Sequence, residues 1–172
     1  MTHPSAHIPG SSAPPPAGAL LEVLTFGMGG ETFALDAVLV REILDVVPRT
    51  AVPGADPLVG HVINFRGRVI PLADLRPAFG MERADLTRDS RIIVIELVIG
   101  DEPLLVGIAT DSVDEVAMLS ADACEQPPAI GLRWPRKHIR CLVRRADGIV
   151  VLPDLQRLFQ SLADRAGLAN SH

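Results

Sequence analysis

"VIPLADLRPAF" at residues 69–79 returns as "IVVLPDLQRLF" at 149–159, and this recurrence decides how the chain is built. The offset is 149 − 69 = 80, and it sets Ile70 on Val150, Leu72 on Leu152, Asp74 on Asp154, Leu75 on Leu155 and Phe79 on Phe159. Two further matches precede it in the same order. "FALDAVLVREIL" (33–44) has the spacing of "VGIATDSVDEVA" (106–117), an offset of 73 that places Leu35 on Ile108, Val40 on Val113, Glu42 on Glu115 and Ile43 on Val116. "EVLTFGMG" (22–29) has the shape of "IVIELVIG" (93–100), an offset of 71. Offsets that rise along the chain are what loop insertions leave behind in a tandem duplication.

Each copy is made of short apolar runs split by turn residues, such as Leu20–Phe26, Thr32–Leu35, Val40–Val46, Leu58–Ile63 and Arg68–Leu72. Their length, their Val and Ile content and their Gly and Pro boundaries are those of strands. "FGMGGETF" reads as a hairpin turn with Gly27, Gly29 and Gly30 at positive φ. "DLRPAFG" reads as a short helical turn interrupted at Pro77 and ended by Gly80, and "ERADLTRDS" (82–90) as a charged linker. About five strands per copy make a unit too small to stand alone, so two barrels packed face to face are expected. In 153–166 the apolar residues Leu155, Leu158, Phe159 and Leu162 fall at helical spacing, with Pro153 suited to the first turn. The expected fold is all-β: two tandem-related five-stranded barrels, roughly 20–81 and 91–160, sharing a core and closed by a C-terminal helix. Residues 1–19 hold no Asp, Glu, Lys or Arg and include Pro14, Pro15 and Pro16; they are expected to be a disordered tail, and 167–172 a C-terminal tail.

A net charge of −5 opposes phosphate binding, and one Trp with no Tyr leaves little to stack on bases. A small-barrel nucleic-acid binder is therefore the unfavoured alternative. The two cysteines, Cys124 and Cys141, fit no C-x-x-C pattern and read as reduced thiols. No secretory signal pattern appears, and the longest apolar runs are too short to span a bilayer. A soluble cytoplasmic protein is expected.

The inventory for chemistry is thin. Of five histidines, His3, His7 and His172 fall in the expected tails, and none of the five sits in a metal-binding pattern. Ser112 and Ser120 lack a nucleophile elbow, and Asp111, Asp114 and Glu115 read as a capped turn. No enzyme, cofactor or metal is expected. A duplicated scaffold without catalytic groups points to binding, and the copies differ at one turn. Asn64-Phe65-Arg66-Gly67 in the first copy faces Arg144-Arg145-Ala146-Asp147 in the second. A tight hairpin explains Gly67, and also Asn64 if it takes a left-handed conformation. Arg66 has no such explanation, and its planar fork suits a partner's carbonyls or carboxylates.

These stretches together, "FALDAVLVREIL", "VINFRGRVIPLADLR", "DSVDEV" and "VVLPDLQRLF", resemble the CheW-like family of chemotaxis coupling proteins over Leu21 to Phe159. The resemblance implies two SH3-like barrels and a non-enzymatic adaptor that couples chemoreceptors to the CheA histidine kinase. It implies receptor contact through the groove between barrels and through Asn64, Arg66 and Gly67. It implies contact with the kinase regulatory domain through Val40, Glu42 and Ile43, with self-association or rings of CheW-like domains possible, and with the membrane reached only through receptors. The same scaffold serves chemosensory-like pathways controlling pili, surface sensing or second messengers, which is the alternative output. Two features depart from the family: His61 stands where glycine is usual, with Gly60 one residue earlier, and "IGLRWPRKHIRCLVRR" is a basic stretch expected to be a solvated loop.

Overall fold

The computed structural model describes residues 18–128 and 134–170. The expected N-terminal tail lies outside the described residues except for Gly18 and Ala19, as do Ala129, the first four residues of the basic stretch (130–133) and 171–172 at the C-terminus. Twelve strands and one α-helix follow in order: β1 Leu20–Met28, β2 Glu31–Asp36, β3 Val40–Asp45, β4 Arg49–Ala51, β5 His61–Phe65 and β6 Arg68–Ala73 come from the first copy. The second copy gives β7 Arg91–Ile99, β8 Glu102–Thr110, β9 Ser112–Ser120, β10 Cys124–Glu125, β11 Ile139–Arg145 and β12 Gly148–Pro153, then α1 Leu155–Asn170. Pro153 ends a strand and does not open the helix; Asp154 caps it, accepting the Arg157 N–H at 3.0 Å. Pro77 likewise starts its short 3-10 turn, which Gly80 closes in the left-handed region at φ +68.

The strands form two six-stranded sheets, in the orders β10-β11-β12-β2-β1-β9 and β3-β7-β8-β6-β5-β4. That is one strand more in each than the five expected, because β4 and β10 are only three and two residues long and carry no readable pattern. Neither sheet is built from one copy. The leading hairpin of each copy, β1–β2 or β7–β8, is completed by the four trailing strands of the other. Each hairpin meets the other copy through one parallel pair, β12·β2 where Val151 faces Phe33 or β6·β8 where Ala73 faces Ile108, and through one antiparallel pair, β1·β9 or β3·β7. The outermost strands of each sheet are joined by residues 46–48 or 121–123, so each sheet curls round on itself as a barrel.

Burial explains why the leading strands read as continuous apolar runs and not as alternating ones. On β7, Ile92 and Val94 point into one barrel with Ile63, Ile70 and Leu72, while Ile93, Ile95 and Leu97 enter a central core. On β1, Leu21 and Val23 fill the other barrel, while Leu24, Phe26 and Met28 enter that same central core. Leu155, Leu158 and Phe159 of α1 close it. Strands buried on both faces lose the polar half of their pattern.

Three hairpins have two-residue loops with both φ values positive: Gly29-Gly30, Arg66-Gly67 and Gly100-Asp101. That is the primed turn that matches strand twist. Gly27, expected among the positive-φ positions, lies in β1 instead. It is small because the Ser112 hydroxyl would stand 2.5 Å from a Cβ there.

Candidate functional site

The β5–β6 turn is set by three residues with three tasks. Asn64 stays in the strand, and its Oδ1 accepts the Gly67 N–H at 3.0 Å, so it holds the loop without taking a left-handed conformation itself. The left-handed positions are Gly67 at φ +79 and Arg66 at φ +50. An arginine there costs roughly 1–2 kcal/mol against an extended or helical one. Phe65 is buried in its barrel, and the Arg66 guanidinium lies 5.5 Å from its ring centroid.

Strand β3 is the edge of the same sheet, paired only with β7. Its register slips between Val40 and Glu42, a bulge centred on Arg41, whose guanidinium donates to Glu96 at 2.7 Å. Val40, Glu42 and Leu44 are half-buried; Arg41, Ile43 and Asp45 face outward. Val40 packs on the central core. Ile43 is 43% exposed, and Val38 and Val46 beside this strand are exposed as well. Sequence reasoning missed these two valines. Their signal was an apolar identity out of phase with the inward set.

The turn and the strand meet. Arg66 donates from Nε to Glu42 Oε2 at 3.1 Å, and its NH2 lies 3.0 Å from the same oxygen. Arg66 remains 73% exposed and Glu42 33%. An exposed pair of this kind contributes no more than about 1 kcal/mol to stability. What it fixes is position: a strained turn is held against the only strand edge in its sheet that presents Ile43. The arrangement offers unpaired backbone groups, a small apolar patch and a charge pair. It can dock a protein; it assembles no nucleophile, base or oxyanion site.

The second copy repeats this design more closely than its turn sequence suggests. Strand β9 is the edge of the other sheet, with its bulge between Val113 and Glu115, at the place of Arg41. Val113 packs on the central core as Val40 does, and Val116 is 62% exposed as the counterpart of Ile43. Glu115 accepts from Arg145 at 3.3 Å, so a carboxylate on the edge meets a guanidinium from the hairpin in both barrels. The difference is in the backbone. Ala146 and Asp147 have no positive φ, and Arg145 belongs to a regular strand.

The remaining candidates are structural. Asp111 accepts the Gly29 N–H at 2.8 Å and pairs with the buried Arg76, while Asp114 accepts from the Ser112 hydroxyl at 3.1 Å. Gly60 has φ −71, so nothing in its backbone requires glycine, and His61 pairs with Leu72 in ordinary register. Trp134, expected in a solvated loop, packs instead on the central core, its ring 6.1 Å from that of Phe33. Among the described residues no group of three His, Cys, Asp or Glu side chains could hold a metal, and no helix is long and apolar enough to cross a membrane.

The CheW-like domain family matches residues 22–163. The chain is 29% identical over 145 residues to "Probable chemotaxis protein CheW" of Rhizobium etli, covering 84% of this chain and 91% of that one. To "Chemotaxis protein CheW" of Klebsiella aerogenes it is 28% identical over 153 residues, covering 88% and 90%. "Protein PilI" of Pseudomonas aeruginosa is 37% identical over 71 residues, covering 41% of this chain and 40% of its own. The scaffolding protein TtCheW from Thermoanaerobacter tengcongensis superposes with a TM-score of 0.71 at 27% identity, covering 83% of this chain and 94% of that one.

Proposed function

The chain belongs to the CheW-like family, and from that premise we propose that it couples chemoreceptor tips to the regulatory domain of a CheA-type histidine kinase as a non-enzymatic cytoplasmic adaptor. The observation that carries this reading is the Arg66–Glu42 pair, which joins the distinctive turn to an apolar strand edge. In this reading Asn64, Arg66 and Gly67 form the receptor side, Asn64 and Gly67 as the frame and Arg66 as the contact. Val40, Glu42 and Ile43 form the kinase side, with Ile43 outward, Glu42 setting charge and Val40 anchoring the strand to the core. An edge strand with one apolar residue and a flanking charge suits docking in a fixed register. The chain reaches the membrane only through its receptors. The partial similarity to Protein PilI is consistent with the second reading, the same coupling task in a pathway controlling pili, surface sensing or second messengers; the kinase that co-purifies from lysate distinguishes the two.

The test is receptor-dependent kinase activity in a reconstituted mixture, read beside thermal melts. Glu42→Arg is expected to weaken kinase binding by ~1 kcal/mol or more, and Arg66→Ala to cost coupling ~2 kcal/mol or more. Arg145→Ala breaks the equivalent pair in the other barrel and should leave receptor coupling nearly intact. Normal coupling by Arg66→Ala would remove the receptor assignment, and equal kinase binding by Glu42→Arg would remove the other.

A further inference from the structure

The coupling reading makes no use of Cys124 and Cys141, yet the fold brings them together. Cys124 on the two-residue strand β10 faces Val143 of β11, and Cys141 lies two residues before Val143, so both side chains share one face as diagonal neighbours. They belong to the same apolar cluster and line the same cavity of about 770 Å³. Cys141 is 2% exposed, while Cys124 is half-buried and reachable. Burial first, and then the adjoining Cys124 thiol, push the Cys141 thiol well above its ordinary range. Cys124 is the thiol a co-reactant can reach and Cys141 is shielded behind it, so the first attack belongs to Cys124.

The cavity says what arrives. Arg136, Lys137, Arg140 and Arg157 line it against a single carboxylate, Asp154. Arg140 is held by Asp36 at 3.0 Å, whereas Arg136, Lys137 and Arg157 form no ion pair among the described residues. Three unpaired cations beside a reachable thiol attract an anionic co-reactant.

We propose that Cys124 and Cys141 form a thiol–disulfide exchange site for a small anionic disulfide. The Cys124 thiolate attacks one sulfur of the disulfide RSSR, a Cys124–S–S–R bond forms, and RS⁻ leaves and takes up the proton that Cys124 lost. Cys141 then gives up its proton and attacks the Cys124 sulfur; the second RS⁻ leaves and takes up that proton. Two protein thiols become one disulfide, and RSSR becomes two RSH. A diagonal pair stands slightly wide for an S–S bond, but β10 is only two residues long, so a small shift of this short edge strand closes the gap without disturbing β11.

The test is intact-mass spectrometry of the full chain incubated with oxidised glutathione, an anionic peptide disulfide. Wild type is expected to lose two hydrogens and keep no adduct, with reversal by reductant. Cys141→Ser should stop at one glutathione adduct on Cys124, and Cys124→Ser should remain unmodified. Replacing Arg136 and Lys137 together by Glu should slow the reaction ~10-fold with oxidised glutathione but not with an uncharged disulfide. Circular dichroism of each reduced variant confirms its fold. A wild-type protein that stays reduced, stops at the adduct or links chain to chain overturns the proposal, as does adduct formation on Cys124→Ser.

Discussion

Arg66 is the one residue of the described β5–β6 turn that a designer of hairpins would not choose. Gly67 satisfies the turn and Asn64 ties it, but Arg66 keeps φ +50 with a Cβ. Its pair with Glu42 and its contact with Phe65 recover part of that strain. Substitutions separate the backbone from the guanidinium. Arg66→Gly relieves the strain but adds chain entropy of ~0.5–1 kcal/mol, so its melting temperature should stay within a few degrees of wild type. Arg66→Val keeps the strain, loses the pair and adds a β-branched clash, so it should lose ~2 kcal/mol. If recognition lives in the guanidinium, both variants fail to couple receptor to kinase although their stabilities differ. Coupling by Arg66→Gly would place the role in the turn's shape.

At the scale of strands, the seam between β6 and β8 depends on a glycine. A Cβ at Gly107 would stand 2.9 Å from Ile92 Cγ2, 3.3 Å from Ile63 Cδ1 and 3.4 Å from Leu72 Cδ1. Ile92 sits on a paired strand with a stiff χ1, so it has little room to yield. Gly107→Val should cost ~2–3 kcal/mol by overpacking, a fall of about 5–10 °C in Tm. Gly27→Ala is the milder case, because the close atom is the rotatable Ser112 hydroxyl; it should cost under ~1 kcal/mol. Reversal of that order would mean the β6·β8 seam is loosely packed. Strands β4 and β10, at three and two residues, were too short to show a pattern, whereas the longer strands were legible, since their length and turn residues are local properties. The roles of Gly27, Pro77 and Pro153 were not, because each is fixed by a neighbour distant in sequence or by the register of an adjoining strand. Of the proposed site, Arg66 stands out by pattern, while Val40, Glu42, Ile43, Asn64 and Gly67 rest on the resemblance. The bond between Glu42 and Arg66 could not be read from either, because it depends on how a curled sheet returns its hairpin to its own edge.

For the whole molecule, duplication is visible in the sequence, but the pairing of its parts is not. Local pattern reports that β1–β2 and β7–β8 are equivalent hairpins; it does not report that they are exchanged between copies. The exchange places both hairpins back to back, so the central core holds Leu24, Phe26, Phe33 and Leu35 from one and Ile93, Ile95, Val106 and Ile108 from the other. A cut in the linker at 86/87 would therefore not release two barrels. The fragment 1–86 would carry β1–β2 without β9 to β12, and β3 to β6 without β7–β8. Each sheet would lack either its hairpin or its four-strand completion, and the apolar faces of β1 and β2 would be left in water. Each fragment alone should lack a cooperative melt, whereas equimolar mixing should restore native circular dichroism as a 1:1 complex. The intact chain should unfold in one transition, with calorimetric and van't Hoff enthalpies equal. Cooperative melting of either fragment alone would show that a copy folds by itself, and the exchange of hairpins would then be a docking of two finished domains instead of the means by which each is made.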